Sequence, residues 1–76
     1  MEIAPQVTLD PAIHHGTPIV AGTRVPIAIV LGSLAGGMSQ EEVSREYELT
    51  KEQIESVLAF AAEVVSRYEV VSLVGA

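Results

Sequence analysis

GTPIVAGTRVPIAIVLGSLAGG, residues 16–37, is the stretch from which the rest of the chain is read. It predicts a tight β-hairpin running directly into an apolar helix that a glycine pair stops. Pro18-Ile19-Val20 and Val25-Pro26-Ile27 are short runs of strand formers, and Ala21-Gly22-Thr23 between them is a turn signal. Glycine in the middle of such a connection supplies the positive φ a hairpin turn needs. Pro18 and Pro26 cannot donate to a ladder, which suits the ends of short edge strands. Pro26 also has the φ favoured at a first helical position, so one proline is expected to close the strand and open the helix.

That helix is predicted over 26–36. Ile27, Val30, Leu31 and Leu34 follow the i, i+3, i+4, i+7 spacing of one apolar stripe. Ala28 and Ile29 widen it, so little of the helix is expected to face water. Gly32 in mid-helix costs about 1 kcal/mol relative to alanine, which fits either close approach of another helix or simple tolerance. Gly36-Gly37 reads as a left-handed stop.

Upstream, Gln6-Val7-Thr8-Leu9 alternates as a short strand ended by Asp10-Pro11, so the β segment is expected over 6–27. A strand this short needs a neighbour, which the hairpin supplies in this subunit or another. His14-His15 beside Asp10 invites a metal reading. Neighbouring side chains in an extended segment point to opposite sides, however, and no second His or Cys cluster completes a ligand set. A loop or turn is the preferred reading, with either histidine able to hydrogen-bond a carboxylate. No metal and no cofactor are expected.

Downstream, Ser39 and Glu42 have capping-box spacing before a helix over 40–47, in which Val43 and Tyr47 share a face. Glu48-Leu49-Thr50 breaks it, and Thr50 with Gln53 repeats the cap before a helix over 51–67. Ile54, Val57, Leu58, Ala61, Val65 and Tyr68 are its expected core stripe. Phe60 reads as core or as a contact to another chain. Two helices so closely spaced fit a helix-turn-helix, and equally an αα-hairpin. Residues 68–76, YEVVSLVGA, form an apolar tail, either a helix extension or a strand against a neighbour. Phe60, Val70, Val71 and Leu73 are therefore candidate oligomer contacts.

Size and charge narrow the function. A 76-residue chain reads as one domain, mostly α after its short β segment, and near the length where one core barely suffices. A homodimer or another partner is a natural source of stability. There is no cysteine, no basic amino-terminal signal and no apolar run long enough to span a bilayer, so a cytoplasmic protein is expected. Net charge is −6, and eight of the ten carboxylates fall within residues 41–69. A phosphate-seeking protein is normally basic, so the balance favours a positively charged partner over nonspecific nucleic-acid binding. No nucleophile is matched to a base and no phosphate loop is present, so an enzyme is not expected.

The order of motifs carries a resemblance. G-T-P-I-V-A-G-T-R-V-P-I, an apolar helix, G-M-S-x-E-E-V and L-T-x-E-Q-I-x-x-x-L-x-F-A together resemble the domain of unknown function 433 family over residues 7 to 63. The resemblance implies small prokaryotic antitoxin-like proteins with a homeodomain-like, three-helical helix-turn-helix core. It also implies a place beside PIN-like nuclease toxins. Gly16, Pro18, Gly22, Thr23, Arg24 and Pro26 then fall on the hairpin signature, and Gly37, Ser39, Glu42 and Thr50 on the helix punctuation.

Three functional readings follow. In the first, the chain is an antitoxin whose acidic helices cover a nuclease toxin. In the second, it is a dimeric DNA-binding autoregulator, with Lys51 and Gln53 at the start of the last helix as base readers and Glu52 and Glu55 opposing them. A structural homodimer is the third. Arg24, the lone cation of residues 11–40, is either bridged to Asp10 or another carboxylate, or is a partner or phosphate contact.

Overall fold

Pro5 and Gln6 turn the chain at its start, with Gln6 in the left-handed region (φ 62°), and this creates a strand that the sequence did not announce. In the computed structural model, which describes residues 1–68, β1 (Glu2–Ala4) pairs antiparallel with β2 (Val7–Thr8), and β2 with β3 (Ile19–Val20). The expected strand over 6–9 shrinks to Val7–Thr8. Beyond it, Asp10 turns the backbone, its Oδ1 accepting the Ala12 N–H at 2.9 Å and its carbonyl the Ile13 N–H at 2.9 Å.

The hairpin is present but lopsided. Thr23 N–H donates to the Val20 carbonyl at 3.0 Å, and Gly22 at the third position of that turn has φ +75°, the conformation glycine supplies there. Val25-Pro26-Ile27 is not a second strand. Only an isolated Ile19–Pro26 bridge forms, because Pro26 has no N–H to donate and the chain then coils. Pro26 itself is extended (φ −66°, ψ 140°) and caps α1 (Ile27–Ala35) from outside, one residue earlier than a first-turn proline.

The glycine stop divides between its two residues. Gly36 remains right-handed at φ −80°, while Gly37 carries φ +107°. Met38 N–H reaches the Ser33 carbonyl and Gly37 N–H the Leu34 carbonyl, both at 3.1 Å, the paired bonds of a Schellman ending. Met38 then packs on the core.

Both capping boxes form. Ser39 Oγ accepts the Glu42 N–H at 3.1 Å while Glu42 Oε1 accepts the Ser39 N–H at 2.8 Å, starting α2 (Gln40–Tyr47). Thr50 and Gln53 repeat both bonds at the same distances, starting α3 (Lys51–Ser66). Between them Glu48 is left-handed (φ 55°), and the Ser44 hydroxyl donates to the Leu49 carbonyl. The backbone and hydroxyl hydrogen bonds of Ser39 hold the Glu42 carboxyl below its ordinary value. The ionised form is therefore the one the fold favours. Its contribution is complete above the unfolded carboxylate pKa and is lost as pH falls through the depressed folded value. Glu42→Gln is expected to flatten the fall of melting temperature on the acid side, and an unchanged acid limb would contradict this.

Val7, Val20, Ile27, Val30, Val43, Leu49, Ile54 and Val57 form one buried cluster, aliphatic as the composition requires. α3 touches α1, α2 and β2, so it is the element on which the rest is assembled. Tyr47 and Ser33 hydroxyls share a hydrogen bond at 2.9 Å that ties α2 to α1.

Two expected apolar faces are wider in sequence than in the core. On α1, Ala28, Ile29, Gly32 and Ala35 are exposed, and no atom lies within 4 Å of a Cβ built at Gly32. Within the described residues Gly32 is thus tolerated rather than closely approached. On α3, Ile54 and Val57 are buried and Phe60 packs on the core, but Leu58 and Val65 are exposed, as is Tyr68 just past the helix end. For Val65 and Tyr68 the reason is length. α3 has 16 residues against 9 in α1 and 8 in α2, so at about 1.5 Å per residue it outruns both. Val70, Val71 and Leu73 lie outside the described residues.

Candidate partner-binding surface

The surface is built by the capping geometry, which fixes how α2 and α3 start beside one another. Lys51 sits in the first turn of α3 and, with Gln40, Glu41, Ser44, Arg45 and Ile54, lines a cleft of about 490 Å³. Gln53 is not free to read bases with its carbonyl oxygen, because Oε1 already accepts the Thr50 N–H. Arg45 joins Lys51 instead. Sequence reasoning passed over Arg45, although it lies four residues after Glu41 and so shares its side of α2.

Around this cleft the charge is negative. Glu41, Glu42, Glu46 and Glu48 on α2 and at its end, and Glu52, Glu55 and Glu63 on α3, are all exposed. Among the described residues the one ion pair is Arg67–Glu63 at 3.7 Å, so Arg45 and Lys51 have no carboxylate within bridging distance. Over residues 40–55 six carboxylates face two cations. Such a surface repels phosphate at range and attracts a basic protein.

Arg24 stands apart, in a second cleft of about 530 Å³ between the 10–16 loop and the hairpin turn, shared with Leu9, Asp10 and Ile13. The bridge to Asp10 is not formed. Asp10 Oδ1 is engaged by the Ala12 N–H, and among the described residues no carboxylate lies within 4.0 Å of the Arg24 guanidinium. Arg24→Ala is accordingly expected to leave stability within about 0.5 kcal/mol of the parent. A clear drop in melting temperature would show a bridge after all.

His14 and His15 occupy a short 3-10 turn, both with positive φ (49° and 57°). Neither bonds a carboxylate. His14 Nε2 donates to the Arg24 carbonyl at 3.0 Å, which holds the loop against the hairpin and fixes the proton on that nitrogen. Among the described residues no three His, Asp or Glu side chains converge as ligands would. No helix there is long and apolar enough to cross a membrane.

Comparison with known proteins places these elements in context. Residues 7–61 match the family model described as "Protein of unknown function (DUF433)". The Mycobacterium tuberculosis (strain ATCC 25618 / H37Rv) protein named "Putative antitoxin VapB45" is 36% identical over 52 residues, 68% of this chain and 22% of its own length. The X-ray crystal structure of Rv2018 from Mycobacterium tuberculosis is similar with a TM-score of 0.64 at 36% identity, covering 71% of this chain and 28% of that one. The chain therefore spans under a third of the length of each of these relatives.

Proposed function

The chain belongs to the DUF433 family, and from that premise we propose that it acts as the antitoxin of a toxin–antitoxin pair. Similarity to a relative named as an antitoxin supports the class of function. The observation that carries the mechanism is the array of exposed carboxylates along α2 and α3, of which, among the described residues, only Glu63 is paired with a cation. RNA is a polyanion, so a nuclease toxin that holds it through basic side chains would find an acidic helical face competing with the phosphates. The antitoxin then neutralises by occupying the RNA site, with no chemistry of its own. Complementary charge speeds encounter and orients the docked pair.

Co-expression with the product of the adjacent gene tests this. A stoichiometric complex and suppressed RNA cleavage are expected. Undiminished cleavage with no complex would remove the reading.

One observation favours a second reading, DNA-binding autoregulation as a dimer. α2 and α3 are joined by three residues, and Arg45 and Lys51 flank the cleft between them. In a helix-turn-helix the start of the second helix meets base edges. Lys51→Glu is the discriminating substitution, since Gln53→Ala would also remove a cap. A promoter mobility shift indifferent to Lys51→Glu would count against α3 as a reading helix.

A further inference from the structure

We propose that the cleft between the 10–16 loop and the hairpin turn is a ligand site, and that its ligand is a free α-amino acid with an aliphatic side chain. The volume of about 530 Å³ is that of a small-molecule site. Arg24 and Asp10 both line it, together with Leu9, Ile13 and the buried Ile19. One cation, one carboxylate and an aliphatic lining therefore share a single recess. The antitoxin reading makes no use of it, since the carboxylates that carry that reading lie on α2 and α3.

Opposite charges in one recess ordinarily close on each other, and here local bonds keep them apart. Asp10 Oδ1 accepts the Ala12 N–H and its carbonyl the Ile13 N–H, both at 2.9 Å, which ties the carboxylate to its own turn. Arg24 is tied at its backbone, where its carbonyl accepts from His14 Nε2 at 3.0 Å. Beside it the Thr23 hydroxyl donates to the Val20 carbonyl at 2.8 Å and accepts the Val25 N–H at 3.0 Å. The guanidinium and the Asp10 carboxylate thus stand more than 4.0 Å apart, and Asp10 Oδ2 has no partner among the described residues. Because the His14 bond also pins the loop to the hairpin, the recess is formed before a ligand arrives, which lowers the cost of binding.

Two separated, opposite charges select the ligand. A lone anion on Arg24 is repelled by Asp10, and a lone cation on Asp10 is repelled by Arg24. A neutral apolar ligand would cover both charges and pair neither, at the cost of desolvating them. A molecule that carries a carboxylate and an ammonium on one carbon answers both. Its carboxylate accepts from the Arg24 guanidinium, its ammonium donates to Asp10 Oδ2, and its aliphatic side chain lies against Leu9, Ile13 and Ile19. A segment of a partner protein that offers one acidic and one basic side chain is the competing outcome.

The test is independent of any toxin. L-leucine is titrated into the full chain and followed by amide NMR shifts, which are expected to saturate at Ile13, Thr23 and Arg24. N-acetyl-L-leucine, which lacks the ammonium, and L-leucinamide, which lacks the carboxylate, should each bind roughly tenfold or more weakly. Arg24→Ala should remove the preference for leucine over leucinamide with the melting temperature unchanged. Asp10→Asn, which keeps an acceptor for the Ala12 N–H, should remove the preference over N-acetyl-leucine. Absence of a saturating shift with leucine overturns the proposal, as does equal binding of the three compounds. Saturation only by a capped tripeptide with one acidic and one basic side chain would assign the cleft to a protein partner and overturns it too. The comparison of analogues needs no variant, so it decides even if Asp10→Asn does not fold.

Discussion

Ile54→Ala is expected to destabilise the protein by about 2–5 kcal/mol, measured as a lower denaturant midpoint. The side chain is 1% exposed and belongs to the single aliphatic cluster that joins sheet and helices. Truncation removes three methyl or methylene groups and leaves a void that α1, α2 and β2 cannot close without moving together. A domain of this size draws only about 3–5 kcal/mol from its core, so the variant should sit near the unfolding threshold at ambient temperature. Val65→Ala, equally aliphatic but 68% exposed, is the control, with an expected change within about 0.5 kcal/mol when the chain is single. A loss below 1 kcal/mol at Ile54 would mean that the core is not centred on α3.

Gly37→Val should follow with a cost of about 1–3 kcal/mol, for a different reason. Nothing lies within 4 Å of a Cβ at this position, so the penalty is not a clash. It is the backbone: φ is +107°, which a β-branched residue does not adopt without strain. Relaxing φ would break the Met38–Ser33 and Gly37–Leu34 bonds that end α1 and aim the chain toward α2. Gly32→Ala is the contrast, since its Cβ also meets open space but its backbone is helical. It should stabilise a single chain by up to about 1 kcal/mol. Equal behaviour of the two glycines in thermal melts would refute the assignment of Gly37 to the left-handed stop.

The contrast between these glycines shows what was legible in the sequence. Punctuation was legible because its chemistry is local. Ser39 with Glu42, and Thr50 with Gln53, determine their caps within four residues, and the helices start where those caps place them. The turn at Gly22 and the glycine doublet were readable on the same grounds. β1 was not, since Pro5-Gln6 is a weak hairpin signal and Gln6 is a non-glycine residue at positive φ in the turn between β1 and β2.

Where packing decides, periodicity overreached. Val65 and Tyr68 match the stripe of Ile54 and Val57, and no sequence rule says that α1 and α2 stop short of them. Ile29 was placed inward on the same reasoning and is 46% exposed. The surface divided in the same way. Lys51 was found because it stands at a helix start, while Arg45 becomes relevant only when the three-residue turn brings α2 against it. Arg24 read either as a bridge, to Asp10 or another carboxylate, or as a partner contact, and of these the Asp10 bridge is not formed, Asp10 being engaged in its own turn.

We propose the carboxylates of α2 and α3 as the surface that meets a basic nuclease. The rate at which the chain associates with the product of the adjacent gene, followed by stopped flow across ionic strengths, tests that most directly. Fast association that slows steeply with salt is predicted, with Glu52→Gln and Glu55→Gln together reducing the low-salt rate roughly tenfold while leaving the melt unchanged. A rate indifferent to both salt and these two substitutions would contradict it.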